Sequence, residues 1–303
     1  MRVLLAVDGS AGANDAVSLA RTMALPAQST IRIVSVLDPG GWVPPGLGGP
    51  GTAGVAEPVV AAYLEEQQEA VLRRFAESGH TVDATILRGR PASAIIEEAT
   101  SFQPDVVIVG SRGHGPIASL VLGSVSAEIV DHAPCPVLVA RRATLSQVVL
   151  AADGSPTAKA AEGIVVGWRV FDGLPIRVVS VAEIVRPWTT GVAPGFQRQA
   201  QDAYAQDVED ALAESQRIAE ESAARVRKQG RVAKTDVRRG DAAAEIVSAI
   251  RERRADLVVL GSRGRTGLSR IFLGSVARNV LMGTDASVLI VRDATEMGVP
   301  RST

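Results

Sequence analysis

The sequence predicts two consecutive α/β domains of one fold, residues 1–143 and 144–303, each a five-stranded, mostly parallel sheet with helices on both faces. Three observations predict it. First, the chain repeats itself. Val3-Leu-Leu-Ala-Val7 followed by Asp8-Gly9-Ser10 returns 145 positions later as Val148-Val-Leu-Ala-Ala152 and Asp153-Gly154-Ser155. Asp105-Val-Val-Ile-Val-Gly110-Ser111-Arg112-Gly113 returns 151 positions later as Asp256-Leu-Val-Val-Leu-Gly261-Ser262-Arg263-Gly264. That period is too long for a solenoid and marks a tandem duplication. Second, these apolar runs show no polar alternation, the pattern of strands covered on both faces. Third, such strands alternate with segments of helical spacing, which implies parallel crossovers.

Each half reads in the same order. After the Asp-Gly-Ser turns come helices: one with Ala16, Leu19, Ala20 and Met23 on a single face, the other opened by Ser155-Pro156, a cap followed by proline. Second strands run Ile31–Val36 and Ile176–Val181. Gly/Pro-rich connections follow, 38–58 and 186–195; loops of that length in compact domains are usually lids, binding loops or disordered, so mobility is expected and no specific chemistry is assigned to them. Ala/Glu-rich helices are expected at 59–78 and 199–229, their acids Glu209, Glu214, Glu220 and Glu221 on solvated faces. Third strands end at Arg88-Gly89 and Arg239-Gly240, again 151 apart, so the six extra residues of the second half lie upstream. Helices at 92–100 and 242–253 lead into the glycine stretches; the run Arg251-Glu-Arg-Arg254 is expected to face solvent. Last strands are Val137–Ala140 and Val288–Val291, and a short linker spans 141–147.

A chain of 303 residues has room for two domains of ordinary size, each large enough for its own core. A net charge of -1 provides no bulk attraction to nucleic acid or acidic lipid. Among the 303 residues, no stretch approaches the roughly 20 apolar residues of a membrane span, and the N-terminal apolar run is too short for a signal peptide. A cytoplasmic location is the expectation. The lone Cys135 excludes an intrachain disulfide and a cysteine-based zinc cluster. His80, His114 and His132 lack metal-ligand spacing. Cys135 reads as a packed thiol and His114 as an exposed loop residue.

The chemistry concentrates in the glycine stretches. From Gly110, two residues lead to Gly113 and nine more to Gly123-Ser124; the same spacing joins Gly261, Gly264 and Gly274-Ser275. A helix opening at Gly-Ser presents amides with no intrahelical partner at the positive end of its dipole. Upstream glycines allow close backbone approach, the hydroxyls of Ser124 and Ser275 stand at the helix mouths, and Arg112 and Arg263 add cations. Together they make a phosphate cradle. In a doubly wound sheet the crevice lies at the carboxyl ends of the strands, where the connection direction reverses. If the first and fourth strands are neighbours, Asp8 faces Gly110, and Asp153 faces Gly261. Each Asp has two readings: acceptor for a base amine or ribose hydroxyl, or cap of the following helix.

These residues resemble the universal stress protein family in its tandem form. The resemblance covers nearly the whole chain and rests on the Gly-x2-Gly-x9-Gly-Ser spacing in both halves, with Val7-Asp8-Gly9-Ser10 and its variant Ala152-Asp153-Gly154-Ser155. It implies a Rossmann-like fold and an ATP site in each half, with Mg2+ accompanying the phosphates. The glycine loops and Ser124 or Ser275 would hold ribose and phosphates. Asp8 with Val36, and Asp153 with Val181, would hold adenine. It also implies pairing through the last strands, here within one chain, consistent with an apolar edge strand needing a partner; a homodimer is a further expectation. A nucleotide-dependent stress-response binding module is the first functional reading. Slow ATP hydrolysis or phosphoryl transfer is an alternative, since such chemistry depends mainly on positioning and charge. A dimerisation scaffold with one or both sites empty is another.

Other motifs fit less well. Lys159, Lys228 and Lys234 do not follow a glycine, so no P-loop is present. Gly113-His-Gly115-Pro-Ile-Ala118 matches the dinucleotide fingerprint on paper but follows the fourth strand, and the second copy, Gly264-Arg-Thr-Gly267, breaks it. A Ser111 or Ser124 nucleophile would need a positioned base, yet His114 and His132 are replaced by Arg265 and Gly283 in the other copy. Accordingly, no catalytic or metal-ligating residue is assigned.

Overall fold

The computed structural model describes residues 1–38, 57–111, 113, 122–184, 194–264 and 273–292, with side chains from 203 onward in the segment starting at 194. Arg112, His114, Pro116, Arg265 and most of the two Gly/Pro-rich connections lie outside the described residues. The first half comprises β1 (Arg2–Ala6), α1 (Ala11–Thr22), β2 (Thr30–Leu37), α2 (Glu57–Phe75), β3 (Thr81–Arg88), α3 (Pro91–Phe102), β4 (Val106–Gly110), α4 (Ser124–His132) and β5 (Val137–Ala140). The second comprises β6 (Val148–Ala151), α5 (Pro156–Gly167), β7 (Ile176–Ala182), α6 (Pro194–Lys228), β8 (Ala233–Arg239), α7 (Ala242–Arg253), β9 (Leu257–Gly261), α8 (Ser275–Gly283) and β10 (Ser287–Val291).

The strands form one sheet in the order β3-β2-β1-β4-β5-β10-β9-β6-β7-β8. Within each half the pairs are parallel, and β1 lies beside β4 as β6 lies beside β9. The halves join through their last strands, antiparallel, with Leu138 opposite Leu289. Each of these strands thereby covers the apolar edge of the other.

Successive strand residues point to opposite faces, so an unbroken apolar run feeds two layers at once. Val3 and Leu5 enter the layer beneath α1, α2, α5 and α6, whereas Leu4 enters the layer beneath α3, α4, α7 and α8. Both layers run continuously through the seam and draw residues from both halves. Each half is large enough for a core of its own, yet joining two edges merges the apolar faces above and below them.

Local chemistry starts the helices. Ser10 caps α1 by accepting from the Ala13 amide at 3.1 Å, and Ser155 caps α5 from Ala158 at 3.2 Å. Each such cap contributes about 1 kcal/mol. The turns before them need glycine: Gly9 has φ +80° and Gly154 φ +78°. A 3-10 turn at Arg169–Phe171, which buries Val170 and Phe171, has no distinct signal in the sequence pattern. The linker is tied down by Ser287, whose hydroxyl oxygen accepts from the Arg141 and Arg142 amides at 3.1 Å, and by Asp256, which accepts from Ser146 at 2.9 Å. Among the described residues, no helix is long and apolar enough to cross a membrane.

Candidate functional site

The chain steps outward from β1 to β2 and β3, then returns to β4 on the other side of β1, and β6 to β9 repeat the path. The carboxyl ends of β1 and β4, and of β6 and β9, therefore flank a crevice in each half. The residues that line it differ in role from one glycine to the next.

Asp8 Oδ1 accepts from the Ser10 amide at 2.9 Å, and Asp153 Oδ1 accepts from Ser155 at 2.9 Å. Helix capping falls to the serines, so the two readings of the aspartates separate: one oxygen closes the turn and the other points across the crevice. A Cβ placed on Gly113 would stand 2.8 Å from Asp8 Oδ2, and one on Gly264 3.1 Å from Asp153 Oδ2. The sequence reading set Asp8 opposite Gly110. The glycine that meets the carboxylate is instead Gly113, and Gly264 in the second half. Gly110 and Gly261 are needed for packing: a Cβ there would run into the first turn of the neighbouring helix, 2.8 Å from the Ala13 nitrogen or 2.7 Å from the Ala158 nitrogen.

Gly123 and Gly274 are the N-caps of α4 and α8, in extended conformation, and Ser124 and Ser275 are the first helical residues. Among the described residues, no side chain caps either helix. The Gly123 amide donates to the Ser111 carbonyl at 2.9 Å, and Gly274 to Ser262 at 2.8 Å, so each glycine loop closes on its own strand end. A Cβ on Gly274 would come within 3.2 Å of the Ser262 carbonyl oxygen and 3.3 Å of Arg263 Cα.

In the second half, Asp153, Val181, Gly261, Arg263, Gly264, Gly274 and Ser275 all line one cleft of about 480 Å³. Val179, Ile246 and Leu260 supply apolar walls. Residues unmarked by the motif also reach it. Glu183 accepts from the Ala242 amide at the start of α7 at 3.1 Å. Glu214, expected on a solvated face, lines the cleft and is paired with Arg217 at 2.7 Å. Thr157 lies behind the wall, and its hydroxyl donates to the Arg263 carbonyl. The sequence carried a signal for Thr157 only in its place two residues after Ser155, where the first half has Gly12.

The first crevice is furnished differently. Tyr63 on α2 places its hydroxyl over Gly9, with Gln67 beside it, while Ile218 covers Gly154 at 3.3 Å from a Cβ built there. Burial pushes the Tyr63 phenol above its ordinary pKa, with the charges of Asp8 and Glu66 adding to the effect. Val36 lies near the end of β2 as Val181 does near the end of β7. Among the described residues, no group of three or more His, Cys, Asp and Glu is placed to hold a metal ion.

A parallel sheet built twice, with a carboxylate and a glycine loop meeting where its strand order reverses, defines a tandem α/β protein of Rossmann-like architecture. Residues 1–141 and 145–292 each match the universal stress protein family. A universal stress protein of Thermus aquaticus is 36% identical over 140 residues, 46% of this chain and 97% of the relative. One from Mycobacterium tuberculosis is 28% identical over 311 residues, 96% of this chain and 97% of the relative. The solved structure of a universal stress protein from Archaeoglobus fulgidus superposes with a TM-score of 0.63 at 16% identity, covering 96% of this chain and 98% of the other, a likeness of fold. The chain belongs to the universal stress protein family, in a tandem arrangement.

Proposed function

We propose that this protein is a nucleotide-responsive binding module that takes ATP in the second-half cleft and, by duplication, in the first. The observation that carries this reading is the convergence of Asp153, Val181, Gly261, Arg263, Gly264, Gly274 and Ser275 on one cleft. The opening amides of α8, at the positive end of the helix dipole, suit phosphate oxygens. Asp153 Oδ2, across the cleft, suits a ribose hydroxyl or a base amine, and the Val179, Val181 and Leu260 side suits the flat face of adenine. An Mg2+ ion would ride on the phosphates, since it keeps most of its waters and needs few protein oxygens. Nucleotide occupancy would then set the conformation of the glycine loops and what they contact.

The test is to release nucleotide from purified protein by mild denaturation, identify it, and titrate ATP into emptied protein. Gly274→Val, which forces a side chain against Ser262 and Arg263, should abolish binding to the second cleft alone. Gly123→Val should do the same for the first. Unchanged ATP affinity in the double variant would overturn the site. Release of many ADP per minute would make the protein an ATPase instead of a binder.

A further inference from the structure

The seam between the halves is related by an approximate two-fold through β5 and β10. Arg141 Nη2 donates to the Leu281 carbonyl at 2.8 Å, and Arg292 Nη2 to the Val130 carbonyl at 2.8 Å. These pairs interchange under the 151-residue repeat, so the two guanidiniums do the same work on the two sides.

The contacts of Asp131 depart from this symmetry at the mouth of the second cleft. Asp131, in the last turn of α4, reaches across the seam to the mouth of the second cleft. Its Oδ1 accepts from the Leu273 amide at 3.3 Å, immediately before Gly274, and its carboxylate pairs with Arg278 in the first turns of α8 at 3.1 Å. The Asp131 side chain is 15% exposed, and Arg292 also donates to its carbonyl. The repeat puts Met282 where a matching carboxylate would stand and Ala127 in place of Arg278, so the first mouth has no counterpart to this bridge.

We propose that Asp131, contributed by the first half, is a positioning residue for nucleotide in the second half. Phosphate held by backbone amides binds best when those amides are already aimed, because ordering them on binding costs free energy. Asp131 fixes the residue entering α8 and restrains the cation of its first turns, so the second mouth carries a restraint from the other half that the first mouth lacks. This rests on the reading of the second cleft as a nucleotide site.

The experiment separates the clefts with the glycine variants and titrates ATP by calorimetry in the full chain. In the Gly123→Val background, which reports the second cleft, Asp131→Ala should weaken ATP about tenfold. Asp131→Asn, which keeps an acceptor for Leu273 but loses the charge facing Arg278, should weaken it less. In the Gly274→Val background, which reports the first cleft, neither change should alter affinity. Met282→Ala should alter neither cleft. In ligand-free protein, Asp131→Ala should also speed amide hydrogen exchange in residues 273–283. A purely structural role would weaken both clefts alike, and that result overturns the proposal, as does unchanged affinity at the second cleft. A Gly123→Val protein that binds no ATP while Asp131 is intact overturns the nucleotide reading itself, and this inference with it.

Discussion

Thr157, in the first turn of α5, donates its hydroxyl to the carbonyl of Arg263, and the Arg263 amide approaches the same hydroxyl oxygen at 3.4 Å. The glycine loop of the second half is therefore latched at its start by the helix that follows β6. Ser155 adds a second hydroxyl to the same carbonyl at 3.3 Å. In the first half the position is Gly12, which has no hydroxyl to offer.

Thr157→Val keeps the shape and removes the latch. Loss of one buried side-chain hydrogen bond costs about 1 kcal/mol of stability. A small fall in melting temperature is expected, with a several-fold loss of ATP affinity confined to the second cleft. Equal affinity in variant and parent, measured by calorimetry in the Gly123→Val background, would remove Thr157 from the site.

Asp153 combines two roles that substitution can separate. Asp153→Asn keeps an oxygen to accept from Ser155 but places an uncharged amide toward Gly264, so the fold should hold and ATP binding should fall. Asp153→Ala loses the turn as well, and an additional cost of about 1 kcal/mol is expected. Paired thermal melts and titrations would check this; an Asn variant that melts like the parent and binds like it would leave Asp153 with the turn alone.

Cys135 is 7% exposed, and burial pushes its thiol up to about 12, partly offset by a hydrogen bond from the Val107 backbone. A folded pKa above the ordinary one means the neutral thiol is favoured in the native state. Its contribution is complete below the ordinary value of 9.0 and is lost as pH rises toward about 12. The folded protein should resist iodoacetamide at pH 8 and label fully in urea. Cys135→Ala should flatten the loss of stability between pH 9 and about 12. Rapid labelling of native protein would show a more accessible thiol than the packing allows.

Most of the fold is legible in the sequence because each strand carries its own label. Runs such as Val-Val-Ile-Val before Gly110 have the length and composition of doubly covered strands, and α7 spans 242–253 as the helical spacing reads. The short turn at Arg169–Phe171 was not legible, since three residues are too few to show a period. Within the candidate site, spacing pointed to stretches that border the second cleft and missed the division of labour among their residues. It could not show that Gly261 packs against α5 while Gly264 faces Asp153, nor that Glu214 borders the cleft.

By itself the sequence determined the duplication, the order of strands and helices, and the glycine-marked mouths, because periodicity, capping and turn chemistry act over a few neighbouring residues. Only the tertiary structure decided that the two apolar layers run unbroken through β5 and β10, and that Asp131 of one half grips Leu273 and Arg278 of the other. Those contacts join residues more than 140 positions apart, and their geometry follows from how two sheet edges meet.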